Sequence, residues 1–81
     1  MKDSKKNNLI LIELGKRIAY LRKKAFLSQL DLAYLCEISP SYLSDLELGK
    51  RNPSILVLSK IASNLKVSLE ELLKGVGEKL G

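Results

Sequence analysis

Helix-start signals cut this chain into pieces too short for anything but a cluster of small helices. Ser28 is followed three residues later by Asp31, a short-acid variant of the reciprocal capping pair in which a hydroxyl and an acid each satisfy a free backbone N–H. Ser39 precedes Pro40, whose fixed φ suits a first helical turn. Either Pro53 or Ser54 opens the next segment, and Ser68-Leu69-Glu70-Glu71 has the S-x-x-E spacing of a full capping box. Between these signals apolar residues recur at three- and four-residue steps: Leu11, Leu14, Ile18, Leu21 and Ala25, then Leu32, Ala33 and Cys36, then Leu43 and Leu46, then Leu58, Ile61, Ala62 and Leu65, and last Leu69, Leu72 and Leu73. Gly49 is placed to end the third helix in the left-handed conformation, and Gly75 and Gly77 to interrupt the fifth. No segment alternates with the period of a strand. The expected fold class is all-α, five short helices with two- to five-residue connections.

With 81 residues the chain forms one small domain, near the lower limit for a single hydrophobic core. Cys36 is its only cysteine and it has no histidine, which excludes an internal disulfide, a Cys/His zinc site and a His-based catalytic triad. With no glycine-rich phosphate loop and no metal-ligand cluster either, the expectation is a protein that is not an enzyme and needs no cofactor or metal. The longest aliphatic run, LILI at 9–12, is too short for a membrane span or a signal-peptide core, so a reducing, cytoplasmic setting is expected. MKDSKKNN, residues 1–8, lacks any apolar period and reads as a mobile arm; 9–74 reads as the folded domain and 75–81 as a short tail.

The net charge of +5 points to an anionic partner, and its distribution excludes a uniform polycation. Residues 1–24 carry Lys2, Lys5, Lys6, Lys16, Arg17, Arg22, Lys23 and Lys24 against only Asp3 and Glu13. Residues 25–49 carry only acids, namely Asp31, Glu37, Asp45 and Glu47. Lys50 and Arg51 then stand side by side in a turn, an arrangement that calls for a nearby anion.

The second and third segments flank residues 37–39. Two helices of about eight residues joined by so short a turn form a helix-turn-helix, whose second helix can enter the ~12 Å wide major groove. Small Ala33 permits a close crossing, and Ile38, Leu43 and Leu46 would pack it. Periodicity alone leaves a plain helical bundle equally open.

The stretch LSQLDLAYLCEISPSYLSDLELGKRNPS, followed by LSKIASNLKVSLEELL, resembles the phage-repressor and Cro type of helix-turn-helix DNA-binding family, and within it the controller proteins of restriction-modification operons. The resemblance runs from about Leu14 to Leu73 and rests on Ser28-Gln29 with Leu32-Ala33, on Tyr42-Leu43-Ser44 with Glu47, Gly49 and Pro53, and on Ile61-Ala62. It implies a lambda-repressor-like five-helix domain over 9–74. It implies base reading by Pro40, Ser41, Ser44 and Asp45, and contacts to the DNA backbone by Gln29, Tyr42, Lys50, Arg51 and Asn52. It also implies an ion pair between Arg22 and Glu47 that ties the recognition helix to the scaffold. Asp45 has an equal alternative as a surface acid answering a nearby cation, and Tyr42 has alternatives in the core or at a dimer contact. Glu37 stands where relatives often have glycine, which implies a strained or differently shaped turn. Leu48 stands where many relatives carry arginine.

The function implied is a sequence-specific double-stranded-DNA-binding transcriptional regulator. A homodimer is expected through Leu69, Leu72, Leu73 and Val76, with Leu80 continuing the series, because these exceed what so small a domain can bury. The competing reading is a protein-interaction module, such as an antitoxin-like protein, that binds its partner through Leu30, Tyr34, Leu35 and the C-terminal leucines. No membrane contact and no small-molecule ligand are expected.

Overall fold

The computed structural model describes residues 2–78, with side chains from Asn8 onward. Five helices follow one another: α1 (Lys2–Lys24), α2 (Gln29–Cys36), α3 (Pro40–Glu47), α4 (Ile55–Asn64) and α5 (Leu69–Leu72). No strand occurs among the described residues. None of the described helices is long and apolar enough to cross a membrane.

Each of the four later helices begins where a serine hydroxyl accepts an N–H three residues on. Ser28 accepts from Asp31 at 2.9 Å, Ser39 from Tyr42 at 3.1 Å, Ser54 from Val57 at 3.2 Å and Ser68 from Glu71 at 2.9 Å. Ser54, not Pro53, is therefore the cap of α4, and Pro53 lies buried just ahead of it. The Ser28 cap is fully reciprocal, since the Asp31 carboxylate also accepts the Ser28 N–H at 3.1 Å. At Ser68 the expected reciprocal box is only half made: the Glu71 carboxylate turns to Arg17, 2.5 Å away, and an ion pair with α1 takes the place of the local bond.

Leu14, Ile18 and Leu21 of α1, Leu32, Ala33 and Cys36 of α2, Leu43 and Leu46 of α3, Leu58, Ile61, Ala62 and Leu65 around α4 and Leu72 of α5 form one buried core. Two expected inward residues depart from it. Leu11 is half-buried, and Ala25 is exposed because α1 has already ended at Lys24. The helix also extends further forward than expected. Residues 2–8, read as an arm, continue α1, since nothing in KDSKKNN breaks a helix: it contains neither glycine nor proline.

Beyond α5 the chain folds back on the domain. Val76 packs against the core, and the Gly77 N–H donates to Glu13 of α1 at 2.7 Å, so the described part of the expected tail is docked. Leu80 lies outside the described residues.

Candidate nucleic-acid interface

The turn between α2 and α3 is the three residues Glu37–Ser39, and α3 packs against both α2 and α1. Glu37 adopts the left-handed conformation at φ 58°, ψ 40° with its side chain exposed; of the two expected outcomes the turn takes the strained one. Its backbone N–H caps α2 by donating to Tyr34. Ala33 is fully buried, and Ile38 packs against the core as the small-residue crossing requires.

α3 divides into two faces. Leu43 and Leu46 point into the core, while Pro40, Ser41, Ser44 and Asp45 share the opposite side, with Pro40 and Ser41 exposed and Ser44 and Asp45 half-exposed. The helix ends through Gly49 at φ 78°: the Gly49 N–H donates to Leu46 at 3.1 Å and the Lys50 N–H to Asp45 at 2.9 Å, the two bonds of a Schellman cap. Lys50, Arg51 and Asn52 emerge exposed immediately after it.

Three contacts fix this helix on α1. Arg22 donates to Glu47 through Nε at 2.7 Å and Nη2 at 3.0 Å, with side chains only 10% and 6% exposed. The carboxylate holds the Arg22 guanidinium even further above its usual pKa, against the opposing effect of burial. At the second contact Gly15 lets the helices approach backbone to backbone: a Cβ there would lie 2.4 Å from the Leu46 carbonyl oxygen and 2.5 Å from that of Glu47. At the third, Gly49 sits against Ile12, where a Cβ would fall 2.7 Å from the Ile12 Cα. Neither Gly15 nor the Ile12 contact was singled out from the sequence. The available signal was a lone glycine inside the α1 pattern, which calls for a packing reason.

Gln29, expected at a phosphate, has a partner inside the protein as well. Its amide Nε2 donates to Glu47 Oε1 at 2.8 Å, making it a third member of the Arg22–Glu47 network. Asp45 has the alternative partner weighed for it: Arg51 Nε lies 3.4 Å from its carboxylate, and the Arg51 guanidinium stands 5.8 Å from the ring centroid of Tyr42. Tyr42 itself is half-buried against the core at the edge of the exposed face. Leu48 is exposed.

Of the four residues expected at a dimer contact, Leu72 must be withdrawn. It is 0% exposed, because α5 turns that side chain into the core between α1 and α4. Leu69, Leu73 and Val76 remain half-buried at the surface. More exposed apolar side chains lie on the outer side of α2, namely Leu30, Tyr34 and Leu35, and in the turn before it Phe26 is 94% exposed.

The family model described as helix-turn-helix matches residues 18–72, a span that includes Arg22, the α2–α3 pair and α5. The chain belongs to the helix-turn-helix family. Among family members it is 39% identical over 70 residues to the control protein C.MunI of a Mycoplasma species, covering 85% of this chain and 95% of that one. It is 40% identical over 65 residues to the HTH-type transcriptional regulator DdrOP3 of Deinococcus deserti, covering 80% of this chain but only 50% of the relative's length. The crystal structure of the restriction-modification controller protein C.AhdI from Aeromonas hydrophila superposes with a TM-score of 0.75 at 37% identity, over 76% of this chain and 90% of that one. The helix-turn-helix itself, α2 to α3, thus lies within the matched segment of the family.

Proposed function

We propose that this helix-turn-helix chain is a sequence-specific, double-stranded-DNA-binding transcriptional regulator of the restriction-modification controller kind, acting as a homodimer on a near-palindromic operator. One observation carries the reading: a short helix exposes Pro40, Ser41, Ser44 and Asp45 on one face while its other end is locked to α1, and two cations leave its C-terminus together. Base reading falls to that face. Serine hydroxyls donate or accept and so discriminate weakly, whereas an ionised Asp45 only accepts and favours the N4 amino group of cytosine. Lys50, Arg51 and Asn52 meet the phosphates, with Tyr42 against the sugar-phosphate wall. Gln29 acts first on Glu47, and the second N–H of its amide remains for a phosphate.

The homodimer is favoured by how little a single α3 can read. Leu69, Leu73 and Val76 provide its contact, and a symmetric pair places two recognition helices about 34 Å apart on one DNA face. The test is binding to the DNA upstream of the chain's own gene, with and without excess random duplex, combined with sedimentation and footprinting. Retained binding under competition and a two-fold footprint are expected. A monomer protecting one asymmetric site excludes the dimer, and equal affinity for all duplexes excludes sequence-specific regulation. Lys50→Ala is expected to lower the log–log salt slope by about 0.9 per half-site on every duplex alike.

A second reading, binding of a partner protein, is favoured by the exposed Leu30, Tyr34 and Leu35 on α2 and Phe26 in the turn before it. If it is the main function, the competition assay finds no preferred duplex.

A further inference from the structure

Asp45 and Arg51 come from different parts of the interface, one from the reading face of α3 and one from the loop behind it, yet they are paired in the free protein. The pair is loose. Its single contact is 3.4 Å long, and the two side chains are 56% and 35% exposed for Arg51 and Asp45 respectively. Arg51 also lies over Tyr42, with the guanidinium 5.8 Å from the ring centroid, so the cation keeps a resting place when it leaves the carboxylate. Both partners have other uses on DNA, and the two uses cannot be counted independently. While Asp45 holds Arg51 the pair is neutral, and a neutral pair releases few counterions even when it lies beside a phosphate.

We infer that Asp45 and Arg51 form an exchange latch that makes one phosphate contact conditional on the base sequence. The inference rests on the DNA-reading role proposed above for these two residues. On a duplex that offers no amino group at the Asp45 position, the carboxylate stays with Arg51, and the acid is kept neutralised in an anionic groove. At a base pair that presents a cytosine N4 amino group, Asp45 turns to accept from it. Arg51 is released with its full charge and moves along the Tyr42 ring to the phosphate. The correct base is therefore rewarded twice, once in the groove and once on the backbone. Asp45 acts as the specificity-determining residue and Arg51 as its amplifier.

The latch makes a crossed prediction that independent contacts do not. Salt dependence of binding is measured for wild type, Asp45→Ala, Arg51→Ala and the control Lys50→Ala, each on the operator selected by wild type and on a random duplex. Both latch residues are at the surface, so circular dichroism of each variant should match wild type. Arg51→Ala is expected to lower the operator slope by about 0.9 per half-site and leave the random-duplex slope unchanged. Asp45→Ala is expected to do the reverse: it frees Arg51 on every sequence, raises the random-duplex slope by about 0.9 per half-site and leaves the operator slope alone. Lys50→Ala should lower both. If Arg51→Ala lowers both slopes equally, or Asp45→Ala changes neither, Arg51 binds phosphate unconditionally and the latch is overturned while DNA reading stands. A wild type that selects no preferred duplex overturns both.

Discussion

Arg22 grips Glu47 through two parallel hydrogen bonds and also donates from Nη1 to the Leu27 carbonyl at 2.9 Å, so one guanidinium joins α1, the end of α3 and the approach to α2. With both side chains nearly buried, removing one partner strands the other's charge in a poorly solvated site. Arg22→Ala is expected to destabilise by about 3 kcal/mol, a loss the Gln29 amide offsets only in part. The double variant Arg22→Met with Glu47→Leu should recover most of it, since two apolar side chains leave no unpaired charge. Urea melts of the three proteins decide. A single variant as stable as wild type would mean that the pair orients nothing.

Gly15→Ala sets two effects against each other. Alanine in a helix interior is favoured over glycine by about 1 kcal/mol. The added Cβ, however, would meet the Leu46 and Glu47 carbonyls of α3 at distances real Cβ atoms do not occupy, and backbone cannot swing aside as a side chain can. Overpacking of this kind costs about 3 kcal/mol, which outweighs the propensity gain. The variant should melt earlier and bind DNA more weakly than its stability loss explains, because the recognition helix is pushed off its seat. An unchanged melting temperature would refute the close approach.

Glu37→Gly is expected to stabilise. Its φ of 58° carries a steric penalty that glycine does not, although glycine also loses more chain entropy on folding. The balance favours glycine by roughly 0.5 kcal/mol, or a rise of about 3 °C in melting temperature for a domain of this size. A fall in melting temperature would show that the exposed Glu37 side chain contributes more than the strain costs.

Asp31 provides the pH-dependent part of the α2 cap. The Ser28 backbone N–H, and then the Ser28 side chain, stabilise its charged form and lower its pKa. A carboxylate whose folded pKa is depressed contributes stability above the unfolded value of about 3.9, and that stability is lost as pH falls through the lower folded value. Asp31→Asn keeps an acceptor but no charge. The stability difference between wild type and variant should be full at pH 7 and shrink below pH ~4. A difference that is the same at pH 7 and pH 2.5 would contradict the assignment.

Unlike the start of α1, which was missed, the starts of α2 to α5 were legible because each is a local event: a serine hydroxyl and an N–H three residues away need no knowledge of the rest of the fold. The core was legible for the same reason, through its three- and four-residue steps. Contacts between elements far apart in sequence were read less evenly. Arg22 with Glu47 came from resemblance to a family, not from spacing. Glu71 misled because its capping spacing is genuine, yet Arg17, 54 residues earlier in the chain, outcompetes the local N–H for the carboxylate. Leu72 misled because a run of leucines shows surplus apolar area without showing which member turns inward. Gln29 carries an amide that suits phosphate and carboxylate equally, and its bond to Glu47 was not legible because only the fold brings the two together.

The seat of α3 on α1 at Gly15 is peptide against peptide, with no side chain of the outer face of α3 taking part. The angle at which the helix is offered is therefore insulated from what the helix says. Ser41, Ser44 and Asp45 can be exchanged without refitting the joint beneath them. A chain built this way can drift from one target to another by single replacements on its outer face, each intermediate keeping the same posture, and the same property makes it a ready mount for grafted specificities.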